Sequence, residues 1–219
     1  MNKFIFLLTI LIFKGFLLSA AQTINGPIGL VTMPSAESLK YREMTAAYDY
    51  RIGQTKEKDA WSYKVNLGTF QNWEIGIVGN KVPTEGMFLN VKYFLISDQA
   101  RFPLSIALGF ENLSSLTQTS FYMVASKKLR SDFGLHLGFK AIFDTAQIKP
   151  AMMGGAHYIH NDRLDFLADI NSNGTLYAGN IAMHYVIVPD ITARLSLLDI
   201  GDTVGGSRYG LGIAYSKFL

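Results

Sequence analysis

The chain contains no cysteine. Neither a disulfide framework nor a lipoprotein anchor is therefore available to it. Net charge is nearly as scarce, with 20 Lys plus Arg against 17 Asp plus Glu. Lys3 and Lys14 both fall in the first 21 residues, so the remainder of the chain is within about one charge of neutrality. The sequence pI near 9.0 overstates its basicity, and charge gives a nucleic-acid partner no support. Beyond the opening stretch no apolar run reaches the ~20 residues that a helical membrane span requires. Catalytic signatures are also missing: there is no GxSxG, no HExxH and no phosphate loop. The GLG at 210–212 belongs to a strand pattern instead.

What is present begins with a leader. MNKF supplies a positive amino end, FIFLLTILIF an apolar run, and Ser19 and Ala21 the small residues that permit cleavage before Gln22. This is the three-part pattern of a secretory signal. Lys14 interrupts the apolar stretch, which favours a removed signal over a retained helix. The chain accordingly divides into a signal peptide at 1–21, an N-terminal segment at 22–42 and one domain at 43–219.

That domain alternates. In AWSYKVNLGTF, Trp61, Tyr63, Val65 and Leu67 interleave with Ser62, Lys64, Asn66 and Gly68. WEIGIVGN, GMFLNVKYFL and PLSIALGFE repeat the pattern. A period of two is a strand signal, and no helical period fits these stretches. The reading predicts strands at 44–52, 60–70, 73–80, 86–96, 103–111, 120–129, 132–141, 150–159, 164–170, 176–187, 191–200 and 207–219. Facing is ambiguous in 120–129 and in 150–159, where MMGGAHYI hides the parity. Most of the twelve approach the ~9–11 residues with which a tilted strand crosses a bilayer.

The connections alternate too. QN, RS, HNDR and VPD are tight turns, whereas GQTKEKD, KVPTE, NLSSLTQT, IFDTAQIKP, NSNGT and GDTVGG run longer. Short turns at one end and long loops at the other are the asymmetry of outer-membrane barrels. SDQARF, on the short side, is longer than that rule prefers. The fold expected is all-β, a closed antiparallel transmembrane barrel of about twelve strands. A barrel leaves no unpaired edge in hydrocarbon, and joining the last strand to the first achieves this. In the final strand Tyr209, Gly210, Ile213 and Tyr215 match the assembly signal of outer-membrane proteins, with Lys217 and the terminal Leu219 as departures. The partners this implies are outer-membrane lipid and the barrel-assembly machinery, and the expected state is a monomer. A periplasmic sandwich with soluble outer faces is the competing architecture.

Several segments resemble the YjbH-like outer-membrane proteins associated with exopolysaccharide production. They are GPIGLVTMPSAE at 26–37, LNVKYFLISDQARFPLSIALGFEN at 89–112, SFYMVASKKL at 120–129 and NDRLDFLADINS at 161–172. Better-known members are longer, so this chain would be a short, single-barrel relative. The resemblance implies a non-enzymatic envelope protein linked to export or organisation of surface polysaccharide, with polysaccharide or periplasmic export proteins as partners. A passive porin for small saccharides is the alternative, and a lipid-acting barrel enzyme a third reading.

Parity then selects candidate lumen residues. Asp49, Glu74, Glu111, Asp165 and Asp169 face inward with Arg51, Lys64, Lys92, Lys140 and Arg194, joined by Asn66, Asn90, Asn180, His136 and His184. A strongly selective pore shows a ring of one sign. Here the signs balance, which favours a self-paired lumen and, for any solute, an uncharged sugar over an anion. DINSNG at 169–174 starts like a calcium loop, but its twelfth position is Asn180 rather than a bidentate Glu, so no metal or cofactor is expected. His157 and His160 fall at or beside the turn after strand eight, and no histidine has an evident serine partner. The segment 22–42 lacks alternation and holds Pro27 and Pro34. It reads equally as a luminal plug or as a disordered leader.

Overall fold

The computed structural model describes residues 21–56, 59–80, 86–96, 103–115, 118–203, 205 and 207–219. KVPTE at 81–85, SDQARF at 97–102 and the leader before Ala21 lie outside the described residues. Twelve strands run in order: β1 (Glu43–Gly53), β2 (Ala60–Gly68), β3 (Trp73–Gly79), β4 (Met87–Ile96), β5 (Ser105–Glu111) and β6 (Ser120–Arg130). The second half holds β7 (Phe133–Phe143), β8 (Ile148–Asn161), β9 (Leu164–Ser172), β10 (Tyr177–Val188), β11 (Ile191–Leu197) and β12 (Ser207–Phe218). Each pairs antiparallel with its sequence neighbours, and β1 pairs with β12 to close the barrel.

Closure is carried by the final strand. Tyr48 sits opposite Ile213 and Ala46 opposite Tyr215. Tyr209, Ile213 and Tyr215 are exposed on the outer wall, while Gly210 turns inward against Ser196. The rest of the wall is equally oily: Ile75, Leu89, Phe139 and Ile181 are all exposed. With every second residue apolar and no edge, the solvent that suits this surface is lipid. The two tryptophans of the chain mark opposite ends of the band. Trp61 lies near Tyr48 at 6.1 Å, and Trp73 near Tyr93 at 4.7 Å, as interfacial aromatic girdles do.

Some sequence readings need correction. The connection after β7 is 144–147 rather than the nine residues IFDTAQIKP, because Ile142 continues the inward row and Ile148 already pairs with Phe143. Pro150 is tolerated inside β8 because β9 joins that strand only from Gly154 onward, so its missing N–H is not needed. Strand β11 stops at Leu197, before Asp199 takes a positive φ of 51°. The two ambiguous strands resolve as well. In β6, Ser120, Tyr122, Val124 and Ser126 face in; in β8, Ala151, Met153, Gly155 and His157 do.

The segment before β1 lies inside the barrel. It folds on itself through Thr23 N–H to Pro27 O (2.8 Å), Ile24 N–H to Val31 O (2.8 Å) and Leu30 N–H to Met33 O (2.9 Å). Gly26, at φ 119°, makes the turn that lets the Asn90 side chain approach the backbone. Leu30, Val31 and Met33 are at most 2% exposed and join Tyr122, Val124 and Met153 of the wall in one apolar cluster. This cluster is the core of the molecule. A barrel interior that is elsewhere polar thus acquires a hydrophobic centre.

Candidate functional site

The lumen is built by parity. Because side chains alternate across a strand, the oily outer face of β1 to β4 and β9 to β11 obliges the intervening positions to point inward. Fourteen of the fifteen candidate residues, all but the half-buried Arg51, are buried there. Seven of them hydrogen-bond the backbone of the luminal segment.

Asp169 on β9 is the densest contact. One carboxylate oxygen accepts the backbone N–H groups of Val31 (2.9 Å), Thr32 (2.6 Å) and Met33 (2.8 Å), and the other accepts the Thr32 hydroxyl (2.9 Å). Asn180 Nδ2 also donates to Asp169 (2.8 Å), and Asn171 Nδ2 donates to Thr32 O (3.2 Å). Charge-assisted bonds to backbone N–H are about twice as strong as neutral ones. The calcium-like spelling therefore has a different use. Asp169 is consumed by the segment, while Asn173 caps the following turn through Thr175 and Leu176.

Opposite stands Glu74 on β3. Its carboxylate accepts Ile28 N–H (3.0 Å), Leu39 N–H (3.3 Å) and Asn66 Nδ2 (2.9 Å), and pairs with Lys92 at 3.4 Å. Lys92 Nζ donates in turn to the carbonyls of Ile28 (2.9 Å), Ser35 (3.4 Å) and Glu37. Asn66 donates to Gly26 O (2.8 Å). A third group lies on β1, β2 and β11, where Asp49 pairs with both Lys64 and Arg194. Those two cations also reach the segment, Lys64 through Thr23 O (2.7 Å) and Arg194 through Gln22 O (2.5 Å). Arg51 lies within electrostatic reach of Asp49.

Of the remaining candidates, only Asn90 also reaches the segment, and the others bond within the wall. Glu111 and Lys140 pair at 2.5 Å. Asn90 accepts Asn112 N–H at 2.8 Å and its amide lies 3.4 Å from Asn25 O. His184 Nδ1 stands 3.8 Å from Asp165. His136 has the serine partner that its sequence neighbourhood does not reveal: Ser126 Oγ is 2.7 Å from Nδ1, and His157 Nδ1 is 2.9 Å from Nε2. Ser126 also accepts Ala36 N–H at 2.9 Å. Two proton arrangements satisfy these contacts, with the serine donating to His136 and His136 to His157, or with His157 donating to His136 and His136 to the serine. This row faces the lumen beneath Ala36, away from lipid, and so differs from the lipid-facing wall that a lipid-acting barrel enzyme would use. His157 escapes a parity reading because Gly154 and Gly155 conceal the facing of β8. The signal that finds it is Met153, an apolar side chain on the same buried face.

At the end bearing the short turns, the lumen widens into a chamber of about 810 Å³. Residues 36–41 form one side of it, and Phe94, His136, His157 and Lys217 line it. Among the described residues no group of three or more His, Cys, Asp or Glu is placed to hold a metal ion.

No family model matches the chain, and no curated protein sequence does. Solved structures match in fold. The KdgM porin in complex with disordered oligogalacturonate is 11% identical, with a TM-score of 0.57 over 78% of this chain and 98% of that one. The NanC porin is 16% identical, with a TM-score of 0.52 over 80% of this chain and 99% of that one. At such identities the likeness concerns the closed twelve-stranded barrel alone.

Proposed function

We propose that this protein is a non-enzymatic outer-membrane channel of the small-porin kind, held closed by its own segment 22–42. The solute class it would pass is uncharged saccharide. The observation that carries this reading is the use made of the luminal charges. Asp169, Glu74, Lys92, Lys64 and Arg194 all bond the backbone of the segment rather than leaving a field of one sign across an open bore. Were the segment to leave, a polar and nearly neutral lumen would remain, matched to sugar hydroxyls better than to ions. The fold likeness to KdgM and NanC porins supports the small-channel part of this reading; the oligogalacturonate bound to the KdgM porin is a polyanion, so the uncharged class rests on the balanced charges of this lumen alone. Membrane lipid and the assembly machinery are then its obligatory partners, the latter through β12.

Planar-bilayer recording tests it. The full chain is expected to be silent. A chain lacking 23–40, verified as folded by heat-modifiable gel mobility, is expected to conduct steadily. Steady conductance by the full chain would refute closure, and silence from the folded deletion would refute the channel.

The surface-polysaccharide role implied by the YjbH-like resemblance is the second reading. The chamber favours it, since a barrel closed in its middle and open at the end of its short turns offers a docking cup to periplasmic export proteins.

A further inference from the structure

The start of the luminal segment lies at an electrostatically demanding place. Gln22 is 2% exposed. Its carbonyl accepts Arg194, its backbone bridges to Ile28, and its side-chain Nε2 lies 3.4 Å from Thr45 O. Ala21 and Gln22 border a small cavity together with Asp49, His184 and Arg194. Asp49 is already shared by Lys64 and Arg194, with Arg51 acting on it as well. Asp165 lies behind His184, 3.8 Å from its ring. Cutting the leader before Gln22 would create an α-ammonium here. That would be one more buried cation beside Lys64 and Arg194, which already share the carboxylate of Asp49, in a site where an unpaired charge is costly.

We propose that the mature chain begins at Gln22 and that this residue is cyclised to pyroglutamate. The α-nitrogen attacks the side-chain Cδ, forming the lactam bond. The Cδ–Nε2 bond breaks, and ammonia departs with the proton taken from the amine. No oxidant or co-substrate is consumed. The product keeps the Cδ carbonyl oxygen and one N–H but carries no charge, so the segment ends in a neutral ring below Arg194. The Oε1 atom of Gln22 is buried with no hydrogen-bond partner, and after ring closure it becomes the acceptor of a compact lactam. This inference stands apart from the channel reading, since a neutral end would suit a permanently closed barrel equally. It does rest on removal of residues 1–21.

The test uses the full protein in freshly harvested outer membranes. Membranes are unfolded in denaturant and at once treated with formaldehyde and cyanoborohydride, which dimethylate every free amine. The amino-terminal peptide is then sequenced by mass spectrometry. The expected peptide begins at Gln22, is lighter by one ammonia and carries no terminal label. A Gln22→Ala chain, which cannot cyclise, is expected to take the label fully and so shows that the reagent reaches this position. A dimethylated Gln22 overturns the proposal, and so does a chain that begins at any other residue.

Discussion

Two buried ion pairs inside this barrel resemble one another in composition and differ in use. Glu74 and Lys92 lie 3.4 Å apart, and between them bind Ile28, Ser35, Glu37 and Leu39 of the luminal segment. Glu111 and Lys140 meet at 2.5 Å across β5 to β7, in a bond that stays within the wall. The first pair is a clamp on a removable part, and the second a strut between fixed ones. A buried pair on its own is weak evidence of stability, because desolvation offsets most of its attraction. What separates the two is the set of additional hydrogen bonds, and that set decides what the lumen does.

The largest effects should come from breaking one member of each pair. Lys92→Ala leaves Glu74 buried and uncompensated, a cost of about 3–5 kcal/mol. Because that loss falls on segment docking, the open fraction in bilayer recordings should rise on the order of 100-fold or more. Lys140→Ala carries a similar cost, about 3–5 kcal/mol, but it falls on the wall. Its gel-monitored unfolding temperature should drop while the channel stays silent. Equal conductance in both variants would erase the distinction between clamp and strut.

A middle-sized effect belongs to the opposite anchor. Asp169→Asn keeps the shape and removes the charge that three backbone N–H groups share. A loss of about 1–3 kcal/mol is expected for weakening such a buried acceptor, with brief openings rather than a steady pore. Recordings indistinguishable from the unaltered chain would show that Glu74 and Lys92 suffice.

The smallest effect lies outside the membrane band. Gly53 N–H and the Tyr50 hydroxyl both donate to Asp59 at 2.9 Å and hold its carboxyl below the usual carboxylate range. A lowered pKa stabilises the folded loop above the unfolded value, and that contribution is lost as pH falls through the folded one. Exchange of the Gly53 amide should therefore quicken in acid once its intrinsic pH dependence is removed. A flat corrected profile would contradict the assignment.

The barrel is legible in the sequence because its signal is repetitive. Trp61 to Leu67 and Met87 to Leu95 alternate so strictly that strand, facing and turn emerge together, and the closed β1–β12 pair agrees with the pattern of the last strand. Strand ends are less legible where an apolar side chain sits on the inward row, as Ile142 does in the last turn-ward residues of β7. The lumen-facing set can be read off by parity, but its bonding cannot. Glu74 and Lys92 are direct register partners, whereas Asp169 meets Val31 across 138 residues of separation. Nothing periodic announces that contact, because the segment 22–42 is a knot of turns whose backbone, rather than its side chains, supplies the polar partners. His157 is hidden by the two glycines that precede it.

The central claim is that residues 22–39 occupy the lumen, and the absence of native cysteine allows a direct probe. Single cysteines placed by Val31→Cys and Tyr41→Cys occupy positions 0% and 61% exposed. Treated with a water-soluble maleimide in the folded, membrane-embedded state, the Tyr41 variant should label at once. The Val31 variant should stay unlabelled until the barrel is unfolded. Equal, immediate labelling of both would mean that the segment hangs outside the barrel.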